Sequence, residues 1–257
     1  SRTDLDACLA SLIVTPAAVE HEIVVVDNGS TDDTVARVGD HWPSVRVIDA
    51  GANLGFARAN NIGIRATRGE LVLLLNPDTR VRPQALDALV AALDAHPRAA
   101  VAGPRLVDAE GRAELSFGPM IAPFAELRQK ALVRGQEQGL PPFSWIVERR
   151  TRRPRRVDWV SGACLLIRRE AFTAVGGFDE KYFLYVEEVD LQRRMHDHGH
   201  PSFFLCDAVV THHAPNAARQ PRPQVQRWAA RGMLRYFARF GSFGALLGYR
   251  LLATAGR

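Results

Sequence analysis

A run of five aliphatic residues, Leu71–Leu75, stops abruptly at Asn76-Pro77-Asp78-Thr79. Too short for a helix and bounded by turn residues, it reads as a strand buried on both faces in the middle of a parallel sheet. That places Asp78 at the carboxyl end of a central strand, the edge where loops diverge and open α/β sheets bind their ligands. Read alone, Asn-Pro-Asp-Thr is equally a turn with a helix cap, since Asp and Pro serve both.

The surrounding pattern supports a sheet of this kind. Ile23–Val26 leads into the polar turn Asp27-Asn28-Gly29-Ser30-Thr31-Asp32-Asp33 and a helix from Thr34 to His41. Val45–Ile48 leads through Gly51-Ala52-Asn53-Leu54-Gly55 into a helix from Phe56 to Thr67. After Asp78, the helix Pro83–Asp94 carries one apolar stripe, Leu86, Leu89, Val90 and Leu93, and Ala99–Gly103 is the next strand. Alternation of this kind predicts a doubly wound, mostly parallel α/β sheet with flanking helices.

From Ala109 to Arg156 the periodicity weakens. It leaves a helix near Pro123–Arg134 and the basic run Arg149–Arg156, which reads as a solvated loop or an anion-binding segment. Val157–Ile167 is again a strand, Glu187–His198 a helix, and Phe203–Leu205 and Ala208–Thr211 two short strands. Beyond Gln224, arginines interleave with Trp228, Met233, Phe237, Leu246 and Leu251, a basic amphipathic tail that suits either its own domain or an anionic membrane face. The boundary falls between 216 and 217. Hydrophobic residues at 47% and charged residues at 24% supply a core for one soluble body. No apolar stretch is long enough to span a bilayer, and no secretory signal is visible at the start. Cys8, Cys164 and Cys206 are odd in number and widely spaced, which suits a reducing compartment. A net charge of +5 favours an anionic partner without naming it.

Three blocks together resemble a known family: Val25-Val26-Asp27-Asn28-Gly29-Ser30-Thr31-Asp32, Asn53-Leu54-Gly55-Phe56-Ala57-Arg58-Ala59-Asn60-Asn61-Ile62-Gly63, and Leu75-Asn76-Pro77-Asp78. With Ser161-Gly162-Ala163, Gly176-Gly177-Phe178-Asp179-Glu180 and Phe183–Leu191 in the same order, they are similar to the family 2 glycosyltransferases of GT-A fold, in particular the rhamnosyltransferase-like branch. The resemblance runs from about Ser1 to Asn216.

It implies a nucleotide-diphosphate sugar donor and a divalent cation, Mg²⁺ or Mn²⁺, against the charge that develops on the departing diphosphate. Asp78 matches the last position of the family's Asp-x-Asp motif, whose first position here is Asn76. Asp27 matches the carboxylate that holds the nucleotide, with Asn28, Asn53, Arg58 and Asn60 around it. Glu188 matches the base that deprotonates the acceptor hydroxyl in an inverting transfer, although the family usually shows Glu-Asp where this chain has Glu187-Glu188; Glu187 is the fallback. His212 is expected to approach the metal or diphosphate. Trp159, Ser161 and Gly162 are expected on the acceptor side. Members usually begin with a strand that this sequence lacks at its start, so more residues are expected before Ser1.

The expected activity is transfer of a sugar, rhamnose from dTDP-rhamnose in the first instance, to a glycan or polyprenyl-linked acceptor in cell-wall or polysaccharide assembly. The setting is cytoplasmic, with an anionic membrane surface as a further partner and no role for nucleic acid. The competing readings are a nucleotidyltransferase-like enzyme, which needs a Gly-rich triphosphate loop not visible here, and a nucleotide-binding scaffold that has lost turnover.

Overall fold

A computed structural model describes residues 2–14, 17–213, 223–241 and 244. The expected boundary at 216 and the tail residues beyond 244 lie outside them. In chain order the elements are α1 (Arg2–Ile13), β1 (Val24–Asp27), α2 (Thr34–His41), β2 (Arg46–Asp49), α3 (Phe56–Ala66), β3 (Leu71–Leu75), β4 (Thr79–Val81), α4 (Ala85–Ala95) and β5 (Val101–Val107). Then follow β6 (Phe117–Gly118), α5 (Pro123–Glu137), α6 (Pro141–Arg150), β7 (Arg155–Val157), β8 (Trp159–Val160), β9 (Cys164–Arg168), α7 (Arg169–Ala174), α8 (Glu187–Asp197), β10 (Ser202–His212) and α9 (Pro223–Phe240).

β1 and β2 form a parallel pair of their own, with Asp27 opposite Asp49. α1 and α2 pack on it through Leu9, Val38 and Val45. The larger sheet runs β3-β9-β5-β10-β4, with β7 also on β10. β5 and β10 are parallel, and β9 lies antiparallel between β3 and β5. β3, β5 and β10 therefore point the same way and deliver their carboxyl ends, with Asp78 and His212, to one side of the sheet. α4 covers one face, burying Leu86, Leu89 and Leu93 over Ala102 and Leu166; each leucine so removed from water contributes about 1.5–3 kcal/mol.

The α/β class is as expected, but β3 itself differs from its reading. It ends the strand order and pairs with antiparallel β9, and its burial alternates, with Val72 and Leu74 inside. A continuous aliphatic run cannot distinguish a strand sandwiched between helices from one whose outer face is only half covered. The two short strands near residue 205 are one element, β10, interrupted by a bulge between Leu205 and Val209. Only the middle of the basic run, residues 151–154, is a turn, with Arg152 and Arg153 exposed. Arg149 and Arg150 close α6, and Arg155 and Arg156 pair with Phe204 and Phe203.

The described part of the basic tail, α9, docks on the domain. Met233, Tyr236 and Phe237 enter the main core, and Trp228 stacks on Phe183 with ring centroids 4.3 Å apart. Arg235 and Arg239 pair with Asp179, and Arg239 also reaches buried Asp190 at 3.2 Å. Arg227 and Arg231 stay on the exposed side.

Candidate active site

The turn after β3 is held from three directions. Asn76 donates its amide to the Ala163 carbonyl at 2.9 Å, its own carbonyl accepts from Thr79, and the Asp78 carbonyl accepts from the His213 amide at 2.7 Å. Asp78 is thereby set beside His212, whose Nε2 lies 3.5 Å from Asp78 Oδ1. That separation suits an ion pair but is too long for a hydrogen bond, and Asp78 Oδ1 is buried with no hydrogen-bond partner. On its other side His212 Nδ1 meets Glu114 Oε2 at 3.1 Å. Burial pulls the imidazole down, but the two carboxylates prevail and push it up to about 9.

Sequence reasoning missed Glu114. It sits in the hairpin after β5, where Val107 bridges to Ala113, inside the stretch whose periodicity is weakest. Its only sequence signal is a carboxylate in a turn, which is too common to single out.

Ala163 connects this turn to the glutamates. Gly162 lies against Glu188, so that a Cβ on the glycine would stand 3.6 Å from Glu188 Cβ and 3.5 Å from the ring tip of Phe56. Glu187 and Glu188 open α8 directly after Tyr185 and Val186, both left-handed with φ of 72° and 75°. Two consecutive non-glycine residues in that region store strain that the surroundings must hold in place. Burial raises both glutamates; Glu187, 3% exposed and further opposed by the Glu188 charge, rises to about 8, and its Oε2 has no partner. For Glu188 the backbone amides of Gly162, Val186 and Val189 act the other way.

The first blocks reach the same place through backbone contacts. Asn28 donates to Asn53 Oδ1 at 3.2 Å and accepts from the Leu54 amide at 2.7 Å, joining the loops that follow β1 and β2. Gly55, at φ 84°, has no room for a side chain, because a Cβ would come within 2.5 Å of the Phe183 carbonyl, which accepts from the Phe56 amide. These loops thus abut the segment leading into Glu187. Asp27 is 6% exposed and accepts from the Ser30 amide, so it shapes its turn at the end of β1.

Other expected site residues go elsewhere. Arg58 faces Glu180 at 3.6 Å, and Asn60 donates back to Phe56 within its own helix. Trp159 packs over Gly118 and donates to the Pro119 carbonyl at 2.7 Å. Ser161 pairs its amide with the Ser116 carbonyl. Asn61, unremarked in its block, is the buried connector: its side chain donates to the Phe178 carbonyl and Glu180 and accepts from the Phe178 amide, tying α3 to the segment before α8.

Among the described residues no group of three or more acidic, histidine or cysteine side chains is arranged to ligate a metal. Asp78 nonetheless fits a hard divalent cation in part, since an unpartnered buried carboxylate oxygen is one ligand of a set that a substrate diphosphate completes, and His212 joins it only by giving up its proton.

Residues 2–176 match Glycosyl transferase family 2. The chain is 37% identical over 239 residues to the N-acetylglucosaminyl-diphospho-decaprenol L-rhamnosyltransferase of Mycobacterium tuberculosis, covering 84% of this chain and 74% of that one. It is 24% identical over 227 residues to the rhamnosyltransferase WbbL of Escherichia coli K12, with 86% and 83% covered. Among solved structures it superposes on the mannosyltransferase PcManGT of Pyrobaculum calidifontis, in complex with GDP-Man and Mn²⁺, with TM-score 0.58 at 18% identity, covering all of this chain and 76% of that one. GalNAc-T7 with UDP, GalNAc and Mn²⁺ gives the same TM-score at 16% identity, with 82% of this chain matched to 41% of its length. These two likenesses establish the fold. The chain belongs to glycosyl transferase family 2, the inverting glycosyltransferases of GT-A fold.

Proposed function

We propose that the protein transfers rhamnose from dTDP-rhamnose to a polyprenyl-linked glycan acceptor, in the manner of the mycobacterial relative that acts on N-acetylglucosaminyl-diphospho-decaprenol. The observation that carries this reading is the meeting of two distant carboxylates at one loop. The Asp78 turn is bonded to Ala163, and Glu188 lies on the adjoining Gly162.

Asp78, with His212 beside it, would hold a divalent cation, which supplies positive charge against the diphosphate leaving group. Glu114 orients His212 from behind. Glu188 takes the proton from the acceptor hydroxyl as that oxygen attacks the anomeric carbon and the nucleotide departs from the opposite face. Asp27, Asn28 and Asn53 line the nucleotide side, and Gly162, against Glu188, the acceptor side.

The test is nucleotide release from dTDP-rhamnose with a lipid-linked N-acetylglucosamine acceptor, comparing Asp78→Asn and Glu188→Gln with the parent protein. Each substitution is expected to remove turnover while thermal unfolding stays within a few degrees. Full turnover in both variants refutes the mechanism, and release only from other donors refutes the rhamnose assignment.

A further inference from the structure

The α5–α6 hairpin carries a concentration of exposed apolar and cationic groups that transfer chemistry does not use. The two helices are pressed together at Gly135, where a Cβ would meet the Phe143 ring. Trp145 is 61% exposed, and Leu127 and Leu140 on the same hairpin are exposed as well. Trp145 lines a cleft of about 720 Å³ with Arg149, Arg150, Arg152, Arg153 and Arg155. The Arg149 guanidinium lies 5.2 Å from the Trp145 ring centroid. The one acidic residue in the cleft, Glu148, is engaged by Arg105 through both carboxylate oxygens and by Arg152.

Among the described residues the other cleft arginines have no carboxylate partner. Arg155 Nε is buried without a hydrogen bond, and Arg150 feels both burial and the positive charges of Arg128 and Arg155. A fold that gathers like charges at such a cost, beside an exposed tryptophan, is complementary to an array of phosphates at an apolar boundary. Guanidinium groups pair with phosphates, while indole and leucine side chains enter the headgroup layer.

We propose that the α5–α6 hairpin and its arginine cleft form a docking surface for an anionic phospholipid membrane. The surface is distinct from α9, whose Arg235 and Arg239 are already spent on Asp179 and Asp190. It also differs in kind from the donor site, where carboxylates dominate.

Flotation of the full chain with phosphatidylcholine vesicles, with and without phosphatidylglycerol, tests this directly. Binding is expected only to the anionic vesicles, with a blue shift of tryptophan emission that Trp145→Phe abolishes. Arg149→Ala with Arg153→Ala should weaken partition about 30-fold, the equivalent of roughly 1 kcal/mol per surface arginine. Arg227→Ala with Arg231→Ala on the exposed side of α9 should leave it unchanged. Inorganic diphosphate serves as the free-anion arm. Saturable diphosphate binding to the cleft without vesicle partition overturns the membrane assignment, as does equal partition of the cleft double variant, or loss confined to the α9 variant. Nucleotide release on a water-soluble acceptor analogue, measured on the same variants, is expected to be unchanged, so failure of the docking proposal and failure of the transferase reading give separate results.

Discussion

Gly232 of α9 is the position where a single methyl group should report how the catalytic turn is held. A Cβ there would stand 2.8 Å from the Tyr185 carbonyl oxygen, 3.4 Å from Val186 Cγ2 and 3.5 Å from the Tyr182 ring. The nearest of these is backbone, so relief requires the helix or the turn to move by about half an ångström, at a cost of about 1–3 kcal/mol. The turn is the weaker partner. Tyr185 and Val186 both hold positive φ, which costs about 1–3 kcal/mol each unless packing enforces it. Gly232→Ala is therefore expected to displace Glu187 and Glu188, which follow immediately. A shift approaching 1 Å in a reacting group costs on the order of 100-fold in rate. Steady-state assays should show kcat falling by about 10- to 100-fold with donor KM less affected, since the clash is with the turn that carries Glu187 and Glu188. Gly39 provides the matched control, because it lies inside α2 with nothing within 4 Å of a Cβ; Gly39→Ala should gain up to about 1 kcal/mol with kcat unchanged. Equal kcat in Gly232→Ala and the parent would show that α9 does not position the turn.

Three further perturbations have defined directions. Glu187 has its carboxyl raised from 4.5 to about 8, first by burial and then by the Glu188 charge, so the folded state holds a proton that the unfolded chain releases across that window. Stability should fall as pH rises through it, and Glu187→Gln should match the parent at pH 5 yet exceed it at pH 9 by on the order of a few kcal/mol in urea unfolding. Asp190 is fully buried and accepts from Tyr182, Arg194 and Arg239, so Asp190→Ala leaves Arg194 unpaired inside and should cost about 3–5 kcal/mol. Burial raises the Asp179 carboxyl, but Arg235 and Arg239 hold it below its usual 3.8, so their stabilisation is present at neutral pH and lost as acid protonates Asp179. Arg235→Ala should lower stability by about 1 kcal/mol at pH 7, a difference that narrows on acid titration toward pH 3 when followed by circular dichroism.

The sequence was most legible where one physical rule acts alone. α2, α3, α4 and α8 lie within a few residues of their expected limits because polar or glycine-rich turns bound them and, in α4, an apolar stripe begins just after a proline. β3 was found but its neighbour was not, because a strand's partner depends on β9, nearly a hundred residues away, and no local pattern records it. The arginine run misled for a related reason. Charge predicts solvent exposure, yet Arg155 buries its Nε while its backbone joins β10, so the strand is set by pairing and not by its side chains. In the site, Asp78 and His212 came from motif position, whereas Glu114, Asn61 and Gly232 are set by contacts between segments. Asn61 reaches across 117 residues to Phe178, which no spacing rule could anticipate.

The paired glutamates follow the same logic and bear on which of them acts. Two adjacent carboxyls in one buried turn cannot both ionise at low cost, so a single negative charge is shared between them. Glu187, more deeply placed and with an unpartnered Oε2, is the one driven to its neutral form. Glu188 is half-buried, rests on Gly162, and is favoured as an anion by nearby backbone amides and by the positive end of α8. The charge therefore resides on the glutamate that faces the loop bonded to the Asp78 turn. Burial leaves that carboxylate more basic than a solvated one, which favours proton transfer to it. On these grounds the two members of the Glu187-Glu188 pair take different protonation states. Under the proposed transfer, Glu187 is the residue kept neutral by burial and by the charge beside it, and Glu188 is the anion set to meet the acceptor.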